Sequence, residues 1–110
     1  MANKYYRQAL IPSGATETTL YTVPTDSAAV VRSLRVTNAD TGASSITVTQ
    51  YNSGSATLHY LLKARNLSVN ATYDVFNGVP LVLEGGDVLK VTSSAASVHF
   101  YLSYLEMDRT

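Results

Sequence analysis

The chain has 110 residues, room for one domain, and its formal net charge is zero. That balance lacks the excess of phosphate-neutralising groups a nucleic-acid binder carries, so nucleic acid is not an expected partner. Cysteine is absent, which excludes disulfides and thiolate metal sites, and no apolar run nears the ~20 residues that span a bilayer, so no membrane partner is expected.

Charged residues make up 15% of the chain, against about a quarter in ordinary globular domains. Thr, Ser and Tyr replace them, and Thr and Tyr favour strands while Ser favours turns. Met1 to Arg7 carries charge but leads into no apolar run, so it does not read as a signal peptide. Tyr5 to Ile11 is a first strand or arm, closed by Pro12-Ser13-Gly14. Residues 1–11 are therefore expected to form an N-terminal arm or edge strand, and 12–110 a single β-sandwich domain.

Thr18 to Val23 alternates as a second strand, and Pro24-Thr25-Asp26-Ser27 has the residue types of a turn. In Ala29 to Asn38, Val30, Leu34 and Val36 share a parity, but so does Arg32. Either a bulge shifts the register there, or Arg32 extends its charged head outward from the core face. Ser45 to Tyr51 alternates strictly, and Ala56 to Lys63 follows with Leu58, Tyr60 and Leu62 in phase. Asn66 to Phe76 is a further strand candidate, ended by Asn77-Gly78.

Leu81 and Leu83, then Leu89 and Val91, flank Glu84-Gly85-Gly86-Asp87 with period-two spacing. This predicts a β-hairpin closed by two glycines, with both acids solvating the turn. Ser97 to Met107 is the final strand, with Val98, Phe100, Leu102 and Tyr104 on one face and His99 and Tyr101 on the other. Eight or so short strands separated by turns indicate an all-β, antiparallel β-sandwich or jelly roll. The expected core is Leu20, Val30, Leu34, Val36, Ile46, Val48, Leu58, Leu62, Leu83, Leu89, Val91, Val98, Phe100 and Leu102.

Catalytic chemistry finds no local support. His59 and His99 stand alone on strands, where a zinc site needs three or four ligands. No Gly-x-Ser-x-Gly elbow occurs, and Gly85-Gly86 lacks the Lys and Ser/Thr of a phosphate-binding loop. The expectation is a protein that is not an enzyme and takes no cofactor or metal. The eight tyrosines exceed what so small a core can hold. Tyrosine suits cross-strand packing, and it suits interfaces and sugar grooves because a flat apolar ring ends in a polar tip. The interface set is Tyr5, Tyr6, Arg7, Tyr21, Tyr51, His99 and Tyr101.

Leu20-Tyr21-Thr22-Val23-Pro24, then Ala28 to Asn38, and later Phe76-Asn77-Gly78-Val79-Pro80-Leu81-Val82-Leu83-Glu84-Gly85-Gly86-Asp87-Val88-Leu89-Lys90-Val91, resemble small structural proteins of tailed-bacteriophage virions. The resemblance runs from Thr18 to Tyr104 and rests on strand-and-turn patterns. It implies a β-sandwich or jelly roll, often trimeric, that binds the major capsid protein or other virion proteins. The implied roles are capsid decoration (cement) or a neck, tail or baseplate subunit, located in the virion after synthesis in the host cytoplasm. A carbohydrate-binding adhesion module is the alternative that the tyrosines support.

Overall fold

A computed structural model of the chain describes residues 3–11, 17–77, 79–95 and 97–108. The Pro12-Ser13-Gly14 turn and Gly78 of the Asn77-Gly78 turn lie outside the described residues. The described residues form nine strands: β1 (Asn3–Leu10), β2 (Thr18–Thr22), β3 (Ser27–Asn38), β4 (Ser44–Asn52), β5 (Thr57–Leu67), β6 (Thr72–Asp74), β7 (Leu81–Leu83), β8 (Val88–Ser93) and β9 (Val98–Asp108). They make two antiparallel sheets. One has the order β1-β9-β3-β6, with β7 also pairing β3; the other has the order β2-β8-β4-β5. The protein is an all-β sandwich, as its composition and spacing predict. Residues 3–10 form an edge strand, paired with β9 along their whole length.

The core between the sheets is built from alternate residues. Phe100, Leu102 and Val98 of β9 and Leu34 and Val36 of β3 meet Ile46, Val48, Leu89 and Val91 of the other sheet. Burying each such side chain contributes about 1.5–3 kcal/mol. Val30 and Leu58 do not join them. Val30 lies on the outward face of its strand, and Leu58 is exposed because β5 is an edge strand whose pairing with β4 slips twice. One slip places Ala64 at φ 51°, where its N–H takes the Thr47 hydroxyl at 3.1 Å.

Arg32 is the extra residue of a bulge. Val31 pairs with Tyr104 and Ser33 with Ser103, so two steps on β3 face one on β9. The bulge lets Val31 and Leu34 both point inward and turns Arg32 out to solvent. A second bulge between Thr19 and Tyr21 lets the consecutive residues Leu20 and Tyr21 both be buried.

The Asn66–Phe76 strand is divided: β5 continues to Leu67, a turn follows, and Thr72–Asp74 alone pairs with β3. Asn38, fully buried, anchors this region by donating to the Leu67 carbonyl at 3.0 Å and the Gly42 carbonyl at 2.9 Å.

The Gly85-Gly86 segment does not close a hairpin. β7 pairs with β3 in one sheet and β8 with β2 and β4 in the other, so the turn carries the chain between sheets. Its Asp87 is not solvated but 3% exposed. Asp87 Oδ2 accepts the Glu84 N–H at 2.9 Å and Gln50 Nε2 at 3.2 Å, and Oδ1 accepts the Ser53 N–H at 3.1 Å. The Asp87 carbonyl accepts the Val23 N–H, and Gly86 donates back to Val23, each at 2.9 Å. A Cβ on Gly85 would sit 2.5 Å from the Thr25 carbonyl oxygen, and Gly86 has φ 87°, so each glycine answers a separate demand.

Candidate interface

The outward face of the β1-β9-β3-β6 sheet holds four cross-strand rows. Tyr5, Leu105, Val30 and Val82 form an apolar row. Arg7, Ser103 and Ser33 form the next, with bulged Arg32 beside Ser33. Ala9, Tyr101, Arg35 and Asp74 form the third, and His99, Thr37 and Thr72 the fourth. Tyr5 is 74% exposed, Val82 61% and Tyr101 44%, so large apolar and aromatic side chains meet solvent on this face.

The charge on this face is uneven. Arg7, Arg32 and Arg35 form no ion pair among the described residues, where the lone salt bridge joins Lys90 to Glu17 at 3.7 Å. Within the four rows the face carries one carboxylate, Asp74. A chain of zero net charge therefore presents a locally cationic, aromatic face. Two hollows lie on it. One is lined by Tyr5, Tyr6, Arg7, Arg32, Ser103 and Tyr104, the other by Arg35, Thr37, Ala39, Thr72, His99 and Tyr101.

The structure thus gathers Tyr5, Arg7, His99 and Tyr101 of the sequence-derived set on one face. Tyr6 points the other way and stacks on Tyr104 with ring centroids 5.6 Å apart, while staying half-exposed at the sheet edge. Tyr21 lies inside the sandwich, 7% exposed, with its ring 4.2 Å from that of Tyr104 and its hydroxyl donating to Glu106 Oε2 at 2.6 Å. Burial, then the carboxylate of Glu106, push the Tyr21 hydroxyl well above the ordinary tyrosine range, and burial does the same to Tyr104. The Tyr6–Tyr104–Tyr21 stack closes one open side of the sandwich, and Arg65, 4.2 Å over the Tyr73 ring, bridges β5 and β6.

Tyr51 belongs to the opposite sheet. Its register partner on β5 is Leu58, and Thr49 faces Tyr60, so Tyr51, Leu58 and Tyr60 make a second outward patch. Arg32, Arg35, Ser33, Ser103 and Val82 were not in the sequence-derived set. The signal for Arg35 was present, since it alternates with core Leu34 and Val36; placing Arg32 beside Arg7 required the bulge. Among the described residues no cluster of three or more His, Asp or Glu side chains could hold a metal.

No family model matches the chain, and no curated protein matches it. Solved structures share its fold. A chain of Bacillus endospore appendages, described as disulfide-linked pili, superposes with a TM-score of 0.55 at 12% identity, covering 99% of this chain and 88% of its own. A chain of the T13 IBDV viral particle gives a TM-score of 0.55 at 11% identity, covering 98% of this chain and 36% of its own. A chain of infectious bursal disease virus strain Gx gives 0.51 at 11% identity, covering 98% and 37%. The chain spans about a third of the length of these viral chains. At such identities the likeness establishes the fold, a β-sandwich found in pili and in viral particles. The chain has no cysteine, so a disulfide linkage like that of the pili is not open to it.

Proposed function

We propose that the chain is a non-enzymatic structural subunit of a virus particle, working as a homo-oligomer, with a trimer as its assembly, that decorates and stabilises a capsid. The observation that carries this reading is the pair of outward patches on opposite sides of the sandwich. Tyr5, Val82, Tyr101 and the arginines lie on one sheet; Tyr51, Leu58 and Tyr60 lie on the other. Tyr and Arg are the residues enriched where proteins dock. One patch serves contact between copies and the other contact with the major capsid protein or another virion protein. Modest contacts, repeated in one oligomer, then multiply in avidity.

The test mixes the purified chain with empty and expanded capsids encoded by the same genome. Saturable binding and a raised disruption temperature of the capsid are expected. Absence of binding, or equal capsid stability with and without the chain, refutes the cement role. Copy number separates it from a neck, tail or baseplate subunit: hundreds per particle mark decoration, a few to a few dozen mark the tail axis. The hollow around Tyr101, with Arg35, Thr37 and His99 at its rim, is the feature that favours the rival carbohydrate-binding reading. A glycan array with binding lost in Tyr101→Ala would replace the structural role with that one.

A further inference from the structure

The geometry points to an anion-accepting trough on the outward face, built at the Arg7-Ser103-Ser33 row, that takes an acidic segment of a partner protein. This rests on the docking role proposed above and names the chemistry of the partner. The trough exists because serine is short. Ser103 and Ser33 face each other at the middle of the sheet, while Tyr5 and Leu105 rise on one side and Tyr101 on the other. Arg7 stands at one end on β1, and the bulge sets Arg32 at the other, so both line one hollow. Neither arginine has an ion-pair partner among the described residues, although the chain contains eight carboxylates.

A guanidinium offers a planar fork of donors matched to a carboxylate, and two of them beside the serines make a concave donor-rich site. The adjoining row of Tyr5, Leu105, Val30 and Val82 is apolar. The complementary ligand therefore alternates acidic and apolar side chains: a carboxylate lies between Arg7 and Arg32 while an aliphatic neighbour covers Val82 or Leu105. Nucleic acid fits less well. Three arginines on a neutral chain supply little phosphate neutralisation, and the apolar row offers nothing to a sugar-phosphate backbone.

The test titrates the full chain, labelled with nitrogen-15, with a capped hexapeptide of alternating Glu and Leu. Saturable amide shifts centred on Arg7, Arg32, Ser33 and Ser103 are expected. Affinity should fall at least tenfold for the Gln-Leu counterpart, for Arg7→Glu and for Arg32→Glu. Ser33→Leu, which fills the trough without altering charge, should weaken binding similarly; circular dichroism melts confirm that each variant folds. Shifts centred elsewhere, equal affinity for the Gln-Leu peptide, or tighter binding of a single-stranded oligonucleotide at the same amides overturns the inference. In the capsid assay, wild-type binding left unchanged by Arg32→Glu overturns this inference alone. Absence of wild-type binding there overturns the docking role, and the peptide titration then decides the trough's chemistry by itself.

Discussion

Replacing Asp87 with Asn tests what holds the two sheets together at the β7–β8 crossover. The substitution keeps the size of the side chain and exchanges one acceptor oxygen for a donor group. In the native chain each carboxylate oxygen is used twice. Oδ2 accepts from Glu84 N and Gln50 Nε2, and Oδ1 from Ser53 N at 3.1 Å and, more weakly, Ser53 Oγ at 3.4 Å. Whichever way the amide is placed, one backbone N–H, of Glu84 or of Ser53, loses its acceptor, while the neighbouring Gln50 amide or Ser53 hydroxyl can turn to accept from the new amide. Hydrogen bonds to a charged group contribute about 1.5–3 kcal/mol each, so losing this one costs about 1.5–3 kcal/mol. That is a large share of the roughly 5–15 kcal/mol by which a domain is stable. For a domain of this size about 1 kcal/mol shifts the melting point by roughly 4 °C, so a fall of about 6 °C or more is expected. Urea unfolding at neutral pH, monitored by far-ultraviolet circular dichroism, gives the free energy directly. A change below about 1 kcal/mol would refute the assignment of the crossover to this carboxylate.

Gly85→Ala drives a Cβ to 2.5 Å from the Thr25 carbonyl oxygen and should cost about 1–3 kcal/mol, whereas Gly42→Ala, with open space around the new atom, should be near neutral in the same unfolding assay. Arg32→Ala should change stability by less than about 0.5 kcal/mol, because the bulge leaves the side chain outside the core; a larger loss in urea unfolding would show the stem packed over apolar surface. Tyr21→Phe removes the donor to Glu106 and should cost about 1.5–3 kcal/mol by the same measurement. Tyr21 and Tyr104 hold their protons more tightly folded than unfolded, so above about pH 10 the unfolded chain releases protons first and stability falls as pH rises. Thermal melts between pH 8 and 11 should show that decline, reduced in Tyr21→Phe; a flat profile would contradict the buried hydroxyls.

Period-two alternation made the strands legible, since Ile46 and Val48 or Phe100 and Leu102 point inward for the reason alternation implies. It could not identify a strand's partners. Leu81 and Leu83 followed by two glycines and Leu89 read the same whether the chain folds back in one sheet or crosses to the other. The deciding contacts come from Gln50 and Ser53, more than thirty residues away. Bulges hid the rest. Arg32 broke the pattern of its strand visibly, yet two remedies fitted it. On β5 two slips turned a regular Leu58-Tyr60-Leu62 alternation outward at its start. Tyr21 reads as an interface residue because tyrosines outnumber core places; its acceptor, Glu106, lies 85 residues away and leaves no local trace. The outward aromatic face is half legible. Tyr5, Arg7, His99 and Tyr101 stand out one by one in the sequence, but their convergence depends on β1 and β3 both flanking β9.

That placement of β9 also dictates when the domain can form. Its two neighbours, β1 and β3, are made first, and neither can pair with it until residues 98–108 have left the ribosome. Until then β1 has no hydrogen-bonding partner and the inward side of β3 lacks Phe100 and Leu102. Assembly of this sheet therefore waits for β9 and is governed by contacts distant in sequence, which makes it slow. The nascent chain meanwhile exposes Tyr5, Tyr6 and an unpaired strand edge, so its yield should depend on how quickly β9 follows β3 out of the ribosome and how few other copies lie nearby.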